Sequence, residues 1–113
     1  MKSENSLILS GRLTADATTN KEKNVANFAI AHNFTTDKVI YPKFVMFNKN
    51  GKYEKKIPFD LLKKGSAVKV EAYLYPDKDK DGKDTIQYVV KNVTALTKEE
   101  ENAVDSPETN EAE

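Results

Sequence analysis

The sequence predicts an all-β fold: a five-stranded Greek-key barrel with one short helix between its third and fourth strands, followed by a disordered acidic C-terminal tail. Three observations carry that expectation. Five segments with strand-like alternation recur between residues 6 and 96, separated by polar or glycine-containing connections. One stretch with helix punctuation falls between the third and fourth of them. From about Thr97 the alternation stops and acids dominate.

The first segment, residues 6–14, reads Ser-Leu-Ile-Leu-Ser-Gly-Arg-Leu-Thr, and Gly11 within it marks a bulge or sharp bend. The second, residues 25–34, places Ala26, Phe28 and Ile30 on one face. In the third, residues 39–48, Tyr41, Lys43, Val45 and Phe47 share a face, with Phe44 and Met46 opposite. Pro42 has no N–H for a ladder, so it predicts an edge or bulge there. A lysine-rich loop, 49–56, leads to Pro58-Phe59-Asp60-Leu61-Leu62-Lys63-Lys64-Gly65, where proline opens and glycine closes a short helix. In residues 66–75, Val68, Val70, Ala72 and Leu74 alternate against Lys69, Glu71, Tyr73 and Tyr75. Asp81-Gly82 predicts a hairpin into the fifth strand, 85–96, with Ile86, Tyr88 and Val90 on one face. Three strands, a helix and a hairpin are the layout of an OB-fold barrel. The division is therefore a domain over 1–97 and a tail over 98–113 with little to bury, expected to be disordered or at most a frayed helix at its start.

The chain has 113 residues and a formal net charge of zero, and that average hides an asymmetry. All 18 basic residues lie in 1–98, where 11 acids leave a net +7; residues 99–113 carry seven acids and no base. A basic body suits a polyanion, and an acidic tail is expected to fold back over it. With no cysteine, thiol nucleophiles, disulfides and zinc thiolate sites are excluded, and a cytoplasmic location is expected. No apolar run approaches a membrane span or a signal peptide.

At this point four segments, in order, resemble bacterial single-stranded DNA-binding proteins. They are Asn5-Ser6-Leu7-Ile8-Leu9-Ser10-Gly11-Arg12-Leu13-Thr14-Ala15-Asp16; Val25-Ala26-Asn27-Phe28-Ala29-Ile30-Ala31; Leu62-Lys63-Lys64-Gly65-Ser66 running into Val68-Lys69-Val70-Glu71-Ala72; and the hairpin with Val90-Lys91-Asn92-Val93. The resemblance spans roughly residues 5–96. It implies an OB-fold, binding of single-stranded DNA in replication, recombination or repair, no cofactor, and a homo-oligomer, tetramer or dimer. It places Tyr41 and Phe47 on aromatic stacking positions and Lys43 on a phosphate-contacting position between them. Phe34 falls near a third stacking position. The hairpin's stacking position is occupied by an acidic stretch near Asp79, leaving Tyr75 as the nearest substitute. The chain has no tryptophan, and its last residues, Asn-Glu-Ala-Glu, lack the family's Pro-Phe tip, which argues against tail-mediated recruitment of repair enzymes.

These residue types suit the task. An aromatic side chain stacks on the exposed π-face of any base, worth roughly 1–3 kcal/mol per base, and lysines neutralise phosphates with release of counterions. Arg12, Lys69, Tyr73 and Tyr75 extend the surface, with Tyr73 better suited to packing or a subunit contact than to DNA. Lys49, Lys52, Lys55, Lys56, Lys78, Lys80 and Lys83 supply its walls.

Other readings are weaker. Asp77-Lys78-Asp79-Lys80-Asp81-Gly82 copies the start of an EF-hand loop, but Asp84 and Tyr88 fall where an apolar residue and a bidentate glutamate belong. The single histidine, His32, reads as a strand residue, and no nucleophile motif surrounds any serine. The alternatives to DNA binding are a primosome-type or RNA-binding OB domain, an OB-fold protein-interaction module, and a metal-dependent nuclease.

Overall fold

Alternating apolar residues need a partner sheet or a closed barrel to bury them, and here the sheet closes on itself. The structure, a computed structural model, describes residues 4–22, 24–50, 53–54 and 56–105, with side chains described outside 49–54 and 103–105. The elements are β1 (Leu7–Leu13), β2 (Thr18–Thr19), β3 (Val25–Thr35), β4 (Lys38–Ile40), β5 (Lys43–Phe47), β6 (Lys49–Asn50), β7 (Tyr53–Glu54), β8 (Ala67–Lys78), β9 (Asp84–Ala95) and α1 (Lys98–Asp105). Five of them form the barrel in the order β1-β8-β9-β5-β3, and β3 returns to β1 through Arg12 opposite Ala31 and Leu13 opposite Ile30. Every barrel pairing is antiparallel except β5 with β9, which run parallel at Val45 and Val89. This is the five-stranded OB-fold. β2 and β4 add to β3, and β6 pairs with β7 in a separate ribbon.

The inward faces match the alternation. Ala26, Phe28 and Ile30 of β3, Phe44 and Met46 of β5, and Val68, Val70 and Ala72 of β8 are all buried. Phe28 and Phe44 stack with centroids 5.6 Å apart, and Tyr88 tilts onto Phe44 at 6.0 Å. Gly11 is not a bulge: its register with β8 is unbroken from Leu7 to Arg12. It is a close approach instead, since a Cβ there would lie 2.3 Å from the Ala31 carbonyl oxygen. β1 therefore passes from β8 to β3 only because the side chain is missing.

Three expectations need correction. The segment 58–64 is not a helix but a run of tight turns, in which Leu61 N–H donates to Pro58 O and Leu62 N–H to Phe59 O. Between Pro58 and Gly65 there are too few residues to offset helix nucleation. Burial of Leu62 and Ile57 in the core holds the turns in place. The expected third strand is two, β4 and β5, parted at Tyr41-Pro42, where Pro42 donates nothing and its carbonyl accepts from Ile30 N–H. The tail does not begin disordered: residues 98–105 form α1. Thr97 N–H donates to the Glu100 carboxylate and Glu100 N–H donates to the Thr97 hydroxyl, a capping box that satisfies the first turn. Residues 106–113 lie outside the described residues.

Candidate nucleic-acid interface

β5 presents its odd-numbered residues outward, because the even-numbered Phe44 and Met46 fill the barrel. Lys43 and Phe47 therefore face out, and Tyr41 stands just before the strand. Tyr41 is 62% exposed and Phe47 38%, so neither is a core residue. Register sets their neighbours: Ala29 lies opposite Lys43, Asn27 opposite Val45, and Val25 opposite Phe47. This surface has no acid on β3 or β5 beside Lys43, and Lys43 has no ion-pair partner among the described residues.

Two hollows lie along this surface. One, about 400 Å³, is lined by Tyr41, Lys43, Val45 and Asn27 on one side and by Ile86, Gln87 and Tyr88 of β9 on the other. The second, about 270 Å³, is lined by Thr14, Ala15, Asp16, Thr18, Asn27, Ala29 and Lys43. Both share Asn27, Lys43 and Phe44. Together they make a groove crossing β3 and β5 with Lys43 at its middle, floored by the packed Phe28, Phe44 and Tyr88 rings.

The groove is bordered by the β8–β9 hairpin, whose outer half extends past the barrel. Leu74 pairs with Tyr88, Tyr75 with Gln87, Pro76 with Ile86, and Lys78 with Asp84. Directly opposed residues share a face. Leu74, Pro76 and Ile86 thus continue the face of Tyr88, while Tyr75 lies on the other face with Gln87. Tyr75 is 51% exposed but stands across the ribbon from Ile86, which is 61% exposed. Gln87 and Tyr88 line the larger hollow together with Ile86. Tyr75 shares, through Gln87 and Val89, the face of Val45 and Lys43, though it lines neither hollow itself. Ile86 is a hairpin residue that the sequence did not place in the site. The alternation of residues 85–96 grouped it with Tyr88, but its position beyond the barrel's end, where it escapes the core, was not legible.

The remaining candidates are dispersed. Phe34, 65% exposed, sits where the β3–β4 register shifts between Asn33 and Thr35. Lys78 forms an ion pair with Asp84 at 2.6 Å, and Lys80 lies in the exposed turn closed by Gly82. Lys49 lies in β6, and its side chain, like Lys52 and Lys55, is outside the described residues. Tyr73 is half-buried with the Lys91 ammonium over its ring.

Arg12 and Lys69 are on a different side. They belong to β1 and β8, neither of which adjoins β5. Arg12 donates to Gly65 O at 2.8 Å and pairs with Glu101 at 3.2 Å; Lys69 meets Glu100 at 4.0 Å. The acidic helix therefore covers this basic pair, as the charge split anticipated, but away from the groove. The Glu100 carboxyl is held below its ordinary value, first by the Thr97 backbone N–H and then by the Thr97 hydroxyl, with Lys69 adding a smaller effect.

His32 is engaged structurally, its Nδ1 2.8 Å from Ser10 O. The Asp79 carboxylate is occupied by the N–H groups of Asp81 and Lys83. Among the described residues no cluster of three or more His, Cys, Asp or Glu could hold a metal ion, and no helix is long and apolar enough to cross a membrane.

No protein-family model matches the chain, and no curated protein matches its sequence. Solved structures do resemble its fold. The mitochondrial single-stranded DNA-binding protein Rim1 of S. cerevisiae has a TM-score of 0.59 at 21% identity, covering 84% of this chain and 97% of that one. The dimeric N-terminal domain of PriB from Thermoanaerobacter tencongensis scores 0.58 at 16% identity, covering 83% and 98%. Plasmodium falciparum SSB, in complex with single-stranded DNA, scores 0.55 at 22% identity, covering 86% and 98%. At these identities the likeness establishes the OB-fold.

Proposed function

We propose that this chain binds single-stranded DNA, largely without regard to sequence, and serves replication, recombination or repair in the cytoplasm as a binding protein rather than an enzyme. One observation carries the reading: Tyr41 and Phe47 stand exposed on either side of Lys43, which has no ion-pair partner among the described residues and lies in a groove floored by aromatic packing. Exposed aromatics grouped beside a cation mark a binding surface, and bases stack on such rings irrespective of identity. A duplex hides its base faces, so this surface discriminates for single strands. Rim1 and the Plasmodium protein, which share the fold, are named for the same ligand.

On this reading residues 1–97 are the binding domain and 98–113 an appended tail. Tyr41, Lys43 and Phe47 form the centre of the track. Phe34, Lys49, Lys78 and Lys80 flank it, Tyr75 lies at its periphery, and Arg12 and Lys69, met by the carboxylates of α1, lie away from it. The chain is proposed to act as a homo-oligomer, dimer or tetramer.

Tyrosine-fluorescence titration with oligo-dT and with a matched duplex, at about 50 and 200 mM salt, tests the proposal. Tight strand binding, weak duplex binding and loss of affinity with salt are expected. An absence of binding to either would sink it and favour a protein-interaction barrel. Equal affinity for an RNA strand would favour the RNA-binding alternative.

A further inference from the structure

The hollow on the far side of Lys43 differs chemically from the one beside Tyr41. It carries no exposed aromatic ring to stack on; over an apolar floor of Ala15, Phe28, Ala29 and Phe44, its polar groups are Thr14, Asp16 and Thr18 along one edge and Asn27 and Lys43. Its volume, about 270 Å³, is roughly nine times the ~30 Å³ share of one water in the liquid, enough for a purine ring system. The presence of Asp16 there is unexpected for a surface that takes a polyanion, because a carboxylate repels phosphate. Asp16 is also well fixed. Its Oδ1 accepts from Lys64 N–H at 2.8 Å, and the next residue, Ala17, donates its N–H to Leu62 O at 2.9 Å. A carboxylate has about four acceptor positions, so Lys64 leaves most of them open.

We propose that this hollow is a base-selective subsite, in which Asp16 accepts hydrogen bonds from the Watson–Crick edge of a guanine. Of the four DNA bases only guanine presents two adjacent donors on that edge, N1–H and an N2 amino hydrogen, matching the two oxygens of a carboxylate. Thymine offers one N–H between two carbonyls, which a carboxylate disfavours; adenine and cytosine each offer one donor beside a ring-nitrogen acceptor. A strand crossing the groove places a phosphate at Lys43, stacks one base on Tyr41 and delivers its neighbour to Asp16. The inference rests on the single-strand binding proposed above and adds a preference to an otherwise sequence-tolerant track.

The test compares thymidine oligomers carrying one central guanosine, inosine or thymidine. Inosine keeps N1–H and the ring system but lacks the N2 amine, so the guanosine–inosine difference removes stacking from the comparison. The guanosine strand is expected to bind roughly five-fold or more tighter than the inosine strand, the lower range of one good base-edge contact. In Asp16→Asn the gap is expected to close. That variant keeps a side-chain oxygen for Lys64 N–H while replacing the second oxygen with a donor, so the fold is retained. Equal affinity for guanosine and inosine strands in the parent protein would overturn the subsite and leave single-strand binding intact. A gap that persists in Asp16→Asn would assign the preference elsewhere. Failure of all three strands to bind would remove the proposed function and the subsite with it.

Discussion

On the β3–β5–β9 face, Lys43 stands between two exposed aromatic residues with no ion-pair partner among the described residues. On the β1–β8 face, Arg12 and Lys69 are each met by a carboxylate of α1. The two faces belong to one barrel, and the sequence supplied basic residues to both. The difference comes from where the chain leaves the barrel. Leu96 N–H donates to Ala67 O, which brings the chain out beside β8, and the Thr97–Glu100 capping box then starts α1 directly over Lys69 and Arg12. Basic residues alone therefore do not map a polyanion track.

The largest way to break this contrast is to remove the rings. Tyr41→Ala with Phe47→Ala is expected to weaken oligo-dT binding at least ten-fold, since each stacked base contributes roughly 1–3 kcal/mol. Thermal stability should change little, because neither ring is in the core and surface substitutions usually stay within about 0.5 kcal/mol. Unaltered affinity, measured by fluorescence anisotropy of a labelled strand, would remove this face from the track.

The hairpin sharpens the comparison. Ile86→Ala is expected to cost about 1 kcal/mol of strand binding through lost apolar contact, because Ile86 lines the larger hollow, and Tyr75→Ala less, because Tyr75 lines neither hollow. The reverse order would mean that the strand passes over the other side of the hairpin.

The reasons for hits and misses are physical. The barrel was legible because alternation with period two records burial directly: Ala26, Phe28 and Ile30, and Val68, Val70 and Ala72, were all assigned inward and are all buried. Leu74 belongs to the same run, yet it is exposed, because alternation specifies a face and not where the barrel ends. Pro58 and Gly65 bracket their segment correctly, but proline and glycine are equally compatible with a short helix and a run of turns, so 58–64 is turns where a helix is expected. Pro42, expected as an edge or bulge within one strand, instead parts β4 from β5. Thr97-Lys98-Glu99-Glu100 carried the capping-box signature, which the acidic composition of the tail masked. Arg12 and Lys69 were grouped with Lys43 because the sequence carries no record of which strands adjoin β5; that follows only from closure.

Salt separates the two faces quantitatively. Each phosphate contact on a single strand contributes about −0.7 to the slope of log K against log salt concentration. Lys43→Ala is expected to shallow the slope for oligo-dT by about that amount. Lys69→Ala should leave it unchanged while α1 is in place, since Glu100 already meets that ammonium. An equal change in both variants would put the two faces on one track.

The smallest expected effect concerns α1 itself. The Glu100 carboxyl is held below its ordinary value because its ionised form accepts from the Thr97 backbone N–H and hydroxyl and faces Lys69. A carboxyl depressed in the folded chain stabilises it at neutral pH, and that contribution is lost as pH falls through the ordinary carboxylate range and then through the lowered value. Amide exchange in residues 98–105 should therefore accelerate relative to the barrel on acidification, while β3 and β8 amides stay protected. Glu100→Gln keeps a capping-box acceptor but cannot titrate, so the acid-induced loosening should shrink in that variant. If α1 amides exchange with the same pH dependence in both proteins, the Thr97–Glu100 contact is not what holds the acidic helix over the β1–β8 face.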